Sequence, residues 1–142
     1  MSTPGRYHFT IRQGATFQKR LRWGAYPYEV ERCGDQVLNK GTGRPADPAD
    51  LIPVDLTGCT ARMQVRSEVT SPVVLVELTT ENGRILLGGA DGTVDLLISA
   101  ADTAAFAWEA GVWDLEIVHP GGQVTRLAEG SLSVSPEVTR DD

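Results

Sequence analysis

The sequence has 142 residues, the length of one ordinary domain, with 41% hydrophobic and 23% charged residues, enough to build a core without a metal or disulfide staple. A formal charge of −6 argues against a general nucleic-acid binder, whose affinity rests on neutralising phosphates. No apolar run approaches the ~20 residues of a bilayer span, and MSTPGRYHFT lacks the apolar stretch of a secretory signal, so the expectation is a soluble product of a cytosol with no membrane partner.

The N-terminal part differs in kind from the rest. Residues 1–46 hold 8 of the 13 Lys+Arg and 3 of the 19 Asp+Glu, a balance of +5, and residues 47–142 carry −11. Six of the nine aromatics, Tyr7, Phe9, Phe17, Trp23, Tyr26 and Tyr28, fall within the first 28 residues. Phe17, Leu21 and Trp23 share one face of a strand with the stem of Lys19, while Gln18, Arg20 and Arg22 point away. Arginines and aromatics interleaved in this way can hold single-stranded nucleic acid. The same alternation is what a strand with one buried aromatic face requires, and the acidity of the chain favours that reading.

Residues 31–53, ERCGDQVLNKGTGRPADPADLIP, show no stable period and read as a long irregular insertion. Period two then dominates. Cys59, Ala61, Met63 and Val65 alternate with Thr60, Arg62, Gln64 and Arg66, the pattern of a strand with one face in water. Short runs follow at Val74–Leu78, Ile85–Leu87, Val94–Ile98, Trp113–Ile117 and Leu132–Val134. Asn82-Gly83, Asp91-Gly92 and Pro120-Gly121-Gly122 separate them as hairpin turns, and Gly130 marks an expected bulge or bend. Ser99 and Asp102 form a capping signature for a short helix over Ala100–Trp108, with Gly111 placed to stop it and Phe106 to cover an end of the sheet. The fold class read from this pattern is all-β: a single domain over 1–142, an antiparallel β-sandwich or barrel-like sheet with one short helix.

Chemistry-bearing clusters are sparse. His8 and His119 lie far apart and neither has a second histidine at ligand spacing, so no metal is expected. Ser131 in EGSLS lacks the nucleophile-elbow glycines, and GTGRPA lacks the Gly-Lys-Ser/Thr ending of a phosphate loop. Asp114 and Glu116 share a strand face, where a solvated face is a better account than acid–base work. Cys33 and Cys59 read as two reduced thiols, with a bridge between them as the sharper alternative. No cofactor and no enzymatic activity are expected.

The order of motifs resembles a known family. IRQGATFQKRLRW, a variable loop, PVDLTGCTARMQVR, a hairpin, TVDLLISAADTAAFAWEAGVWDLEI and GGQVTRLAEGSLSVSPEVTR are similar in sequence and spacing to the small β-domain proteins of tailed bacteriophages. Among these are the N-terminal domain of baseplate upper proteins and related fibre-attachment domains. The resemblance covers roughly residues 9–24 and 51–140. Asp55-Leu56-Thr57-Gly58, Ser99–Thr103 and Trp113–Glu116 are its most telling pieces.

The resemblance implies a virion structural protein of the tail tip or baseplate, made in a bacterial cytoplasm, that helps attach fibres or receptor-binding proteins. Longer relatives continue into a shaft, whereas this sequence stops at Asp142, which points to an adaptor. Expected partners are other phage structural proteins and copies of the chain itself in a symmetric assembly, with no nucleic acid. A capsid decoration protein and a carbohydrate-binding sandwich are the alternatives. Aromatic and arginine side chains are frequent interface anchors, so Tyr7, Phe9, Arg20, Arg22, Tyr26 and Tyr28 are the candidate interface residues.

Overall fold

Alternating apolar side chains leave each strand with one face to bury, and two sheets facing one another satisfy all of them at once. A computed structural model describes residues 4–34 and 36–140. One sheet has five strands in the order β1 (Gly5–Arg12), β12 (Val124–Ser135), β11 (Ala110–Val118), β7 (Thr60–Arg66) and β8 (Val76–Thr79). The other has three, in the order β2 (Phe17–Arg22), β10 (Thr93–Ile98) and β9 (Ile85–Leu87). Both contribute to one core, with Ile11, Met63, Val65, Leu115 and Leu132 from the larger sheet and Leu21, Ile85, Val94 and Leu96 from the smaller. Burying each such side chain contributes about 1.5–3 kcal/mol before the entropy of ordering the chain is charged against it. The sheets stay separate, so the fold is a sandwich and not a closed barrel.

The first strand pairs with the last. β1 runs parallel to β12, with Phe9 opposite Leu132 and Ile11 opposite Val134, while every other pairing in the molecule is antiparallel among the described residues. A parallel partner needs a long connection, and here that connection is almost the whole chain. Gly130 serves this pairing. A Cβ there would collide with the carbonyl oxygen of Tyr7, so glycine lets β1 approach. The bulge expected at Gly130 falls at Leu127 instead, where Leu115 faces Ala128 and Glu116 faces Arg126.

Two of the three predicted hairpins form, β9–β10 and β11–β12. The Asn82-Gly83 segment does not make one. It carries the chain from β8 in the larger sheet to β9 in the smaller, because Val76, Leu78 and Ile85 enter the core from opposite sides. The Asn82 side chain holds this crossing together: its Oδ1 accepts from the backbone N–H of Thr79 at 2.9 Å and of Arg84 at 3.0 Å.

Helix α1 (Ala100–Ala104) starts where expected, with Ser99 Oγ accepting from the Asp102 N–H at 3.2 Å. It ends four residues before Trp108, and Gly111 lies inside β11. Tertiary contacts override the alanine-rich propensity. Phe106 and Trp108 pack against the core, and the Glu109 carbonyl accepts from the Val134 N–H at 2.8 Å, which opens the sheet pairing. Thr103, fully buried, accepts from the Gly14 N–H at 3.1 Å and donates to the Ala15 carbonyl at 2.8 Å, so the helix plugs the end of the sandwich beside the β1–β2 turn.

The insertion read as irregular is ordered in large part. β3 (Gly24–Ala25) pairs with β6 (Ile52–Pro53) at its root, and β4 (Val30–Cys33) pairs with β5 (Gln36–Asn39) as a hairpin beyond. A 3-10 turn at Pro48–Asp50 is capped by Asp47, whose Oδ1 accepts from the Ala49 N–H at 2.9 Å. Periodicity missed this arm because none of its described side chains is buried, so no apolar face had to alternate.

Candidate interaction surface

The candidate interface residues divide into three groups. Phe9 is a correction. It is 5% exposed and stacks on Trp113 at 4.9 Å between centroids, because Phe9 and Ile11 are the two inward positions of β1. Tyr7 shares that side of the strand but stands nearer its open end, 6.0 Å from the Phe9 ring. There it is 36% exposed and lines a cavity of about 240 Å³ with Leu21, Trp23 and Leu127.

Arg20 and Arg22 project from the outer face of the three-stranded sheet, as the alternation predicts. Arg20 grips Asp95 on β10 with two hydrogen bonds, Nε–Oδ1 at 2.7 Å and Nη2–Oδ2 at 2.9 Å. That fork holds the Asp95 carboxyl below the ordinary carboxylate range and raises the guanidinium further. Arg22, opposite Thr93, is exposed and has no ion pair among the described residues. With Leu51, Pro53, Leu86 and Asp91 these arginines line a shallow groove of about 440 Å³.

Tyr26 and Tyr28 sit at the root of the arm, half-buried and stacked at 5.5 Å. Tyr28 Oη donates to Asp50 Oδ2 at 2.8 Å, so the pair ties the strand leaving the sandwich to the 3-10 turn that leads back to it. Partial burial and then this hydrogen bond push the Tyr28 hydroxyl up. One of the two rings is therefore committed to holding the arm.

The outer faces of the two sheets differ in charge pairing. Across the larger sheet, Arg62 pairs with Glu116 at 2.8 Å, Arg6 with Glu129 at 3.3 Å and Arg126 with Asp114 at 3.7 Å, while Gln64 donates to Glu77 at 2.9 Å. Asp114 is raised by its burial, which outweighs the nearby Arg126. Asp114 and Glu116 thus belong to a surface that neutralises itself across its strands. The smaller sheet's outer face has the Arg20–Asp95 pair, an Arg22 with no ion pair among the described residues and a 55% exposed Leu86. Leu86 was absent from the candidate residues, although its place between the inward Ile85 and Leu87 in the sequence already pointed it outward.

Cys33 lies exposed on the arm and Cys59 half-buried at the start of β7, both as free thiols. Among the described residues no helix is long and apolar enough to cross a membrane, and no group of three or more His, Cys, Asp or Glu side chains could hold a metal ion. No protein-family model matches this sequence, and no curated protein matches it.

Proposed function

We propose that this chain is a virion structural protein of a tailed bacteriophage, an adaptor of the tail tip or baseplate that helps attach fibres or receptor-binding proteins. The observation that carries the reading is the arm over residues 24–53, which leaves the sandwich beside the groove of Arg20, Arg22 and Leu86 on the outer face of the smaller sheet and buries none of its described side chains. An arm of that kind has its surface available for a neighbouring subunit. The resemblance in motif order supports the same reading, and so does a two-sheet β fold. Copies of the chain in a ring would place the basic N-terminal segment of each against the acidic body of the next, a heterologous contact that closes by rotation.

Arg22 and Leu86 are the side chains this reading places at the contact, with Tyr28 holding the arm's root. Charge reversal at Arg22 should leave the isolated domain folded and weaken assembly, because the side chain has no ion pair to lose among the described residues. Immunogold labelling of purified, intact phage particles with an antibody to this chain tests the proposal. Gold at the tail tip is the expected result. Gold over the head would make the chain a decoration protein, and reproducible absence from well-preserved particles would overturn both.

A further inference from the structure

Away from that surface, a second group of side chains meets where the turn before β7 touches the β11–β12 turn. Cys59 Sγ lies 3.7 Å from His119 Nδ1. The other ring nitrogen, Nε2, lies 3.0 Å from Thr125 Oγ1 on β12. Trp23 presents its ring edge-on to the imidazole, 6.0 Å between centroids at 61°. The backbone holds each participant in place: Cys59 N–H donates to the Leu56 carbonyl at 3.0 Å, and His119 N–H to the Gln123 carbonyl at 2.8 Å. The two turns are in contact, since a Cβ on Gly58 would come within 3.1 Å of the Pro120 ring.

When Nε2 carries the imidazole proton and donates it to Thr125, Nδ1 is left as an acceptor aimed at the thiol. A thiol beside a base that a third group orients is the arrangement of an activated nucleophile. Cys33 is the natural contrast. It is more exposed, yet its thiol has no hydrogen-bond partner among the described residues.

We propose that Cys59 is a modification site at which a low-molecular-weight disulfide forms a mixed disulfide, with His119 as the base and Thr125 as its positioning residue. The Cys59 proton passes to His119 Nδ1, and the thiolate attacks one sulfur of the small disulfide. A new bond forms from Cys59 Sγ to that sulfur as the small disulfide's own S–S bond breaks. The departing thiolate takes the proton back from His119 and leaves as a thiol. Cys59 is oxidised and half of the small disulfide is reduced, so electrons balance with no further reagent. This assignment is independent of the proposed role in a virion, and its test does not depend on particles.

The experiment treats the reduced full chain with bis(hydroxyethyl) disulfide at neutral pH, an uncharged probe indifferent to the charges around either thiol. After an acid quench, trypsin separates the two thiols at Lys40, and mass spectrometry follows each adduct. A free thiol is only a few per cent thiolate at neutral pH, so Cys59 should react about tenfold faster than Cys33 although it is less exposed. His119→Gln should abolish that advantage. Thr125→Ser should keep it and Thr125→Val should lose it, a pattern that loss of packing alone does not produce. In urea the two thiols should react alike. Faster reaction at Cys33 in the folded chain, or an unchanged Cys59 rate in both His119→Gln and Thr125→Val, would overturn the proposal.

Discussion

The sandwich and the arm are built from the same kinds of residue but held by different forces. In the sandwich, alternate side chains from both sheets enter one core, and a strand's position is set by what it buries. In the arm, every residue of β4 is exposed, and the hairpin rests on backbone bonds made over short distances in sequence. Asn39 N–H donates to the Arg44 carbonyl at 2.8 Å, Gly43 N–H to Asn39 at 2.8 Å, and Ala46 N–H to Val37 at 2.8 Å. Gly43 makes the tight return with a φ of 71°, a conformation costly for any residue with a Cβ. The core of the sandwich is therefore complete without the arm, whose described side chains all stay at least partly in water.

That contrast can be broken most forcefully in the core. Trp113→Ala should cost about 3–5 kcal/mol in chemical denaturation, since it removes a ring stacked on Phe9 and the Nε1–H that donates to the Ser131 carbonyl at 3.0 Å. A cost below about 1 kcal/mol would mean that the sandwich does not rest on this stack. Gly130→Ala should cost less, about 1–3 kcal/mol, by forcing β1 away from β12. Hydrogen exchange provides the sharper reading there: the amides of β1 should lose protection while those of β11 keep theirs.

The arm should respond quite differently. Replacing residues 30–39 with a short Gly/Ser linker should change the unfolding free energy by no more than about 1 kcal/mol, because no described side chain leaves a core. The same change should abolish assembly if the proposed role is right. A large loss of stability would show that the arm is part of the fold and not an appendage.

The smallest expected effect is on pH dependence, and it belongs to the outer faces. Asp114 is raised by burial, so keeping it ionised costs stability at neutral pH, and protonation relieves that cost as pH falls through its raised value. Asp95 and Asp102 are lowered, by Arg20 and Arg84 respectively. Their contribution is complete above about pH 3.9, the ordinary carboxylate value, and is lost as pH falls through their lowered values. Thermal melts should therefore show a slight gain in mild acid followed by a decline in stronger acid. Asp114→Asn should remove the gain and leave the decline.

Much of this was legible in the residues. The inward faces of β7, β10 and β11 follow from strict alternation, the helix start from Ser99 and Asp102, and the outward direction of Arg20 and Arg22 from their register on one strand. The arm was not legible, because a hairpin without a buried face leaves no hydrophobic period to find. Arg20 could be placed on a surface from sequence, but its bidentate partner could not, since Asp95 lies on a strand far along the chain.

What the sequence determined by itself is therefore local: which side chains point inward, where turns fall, and that the elements are strands. Tertiary structure alone decided which strands meet. It paired β1 with β12 across nearly the whole chain, sent Asn82-Gly83 between sheets, stopped the helix at Ala104 and drew Phe9 into the core. It also brought Cys59 to His119 across two turns distant in sequence. The physical reason is the same in each case. Alternation specifies that a face must be buried, but the choice of what covers it depends on which packing excludes water from all the faces together.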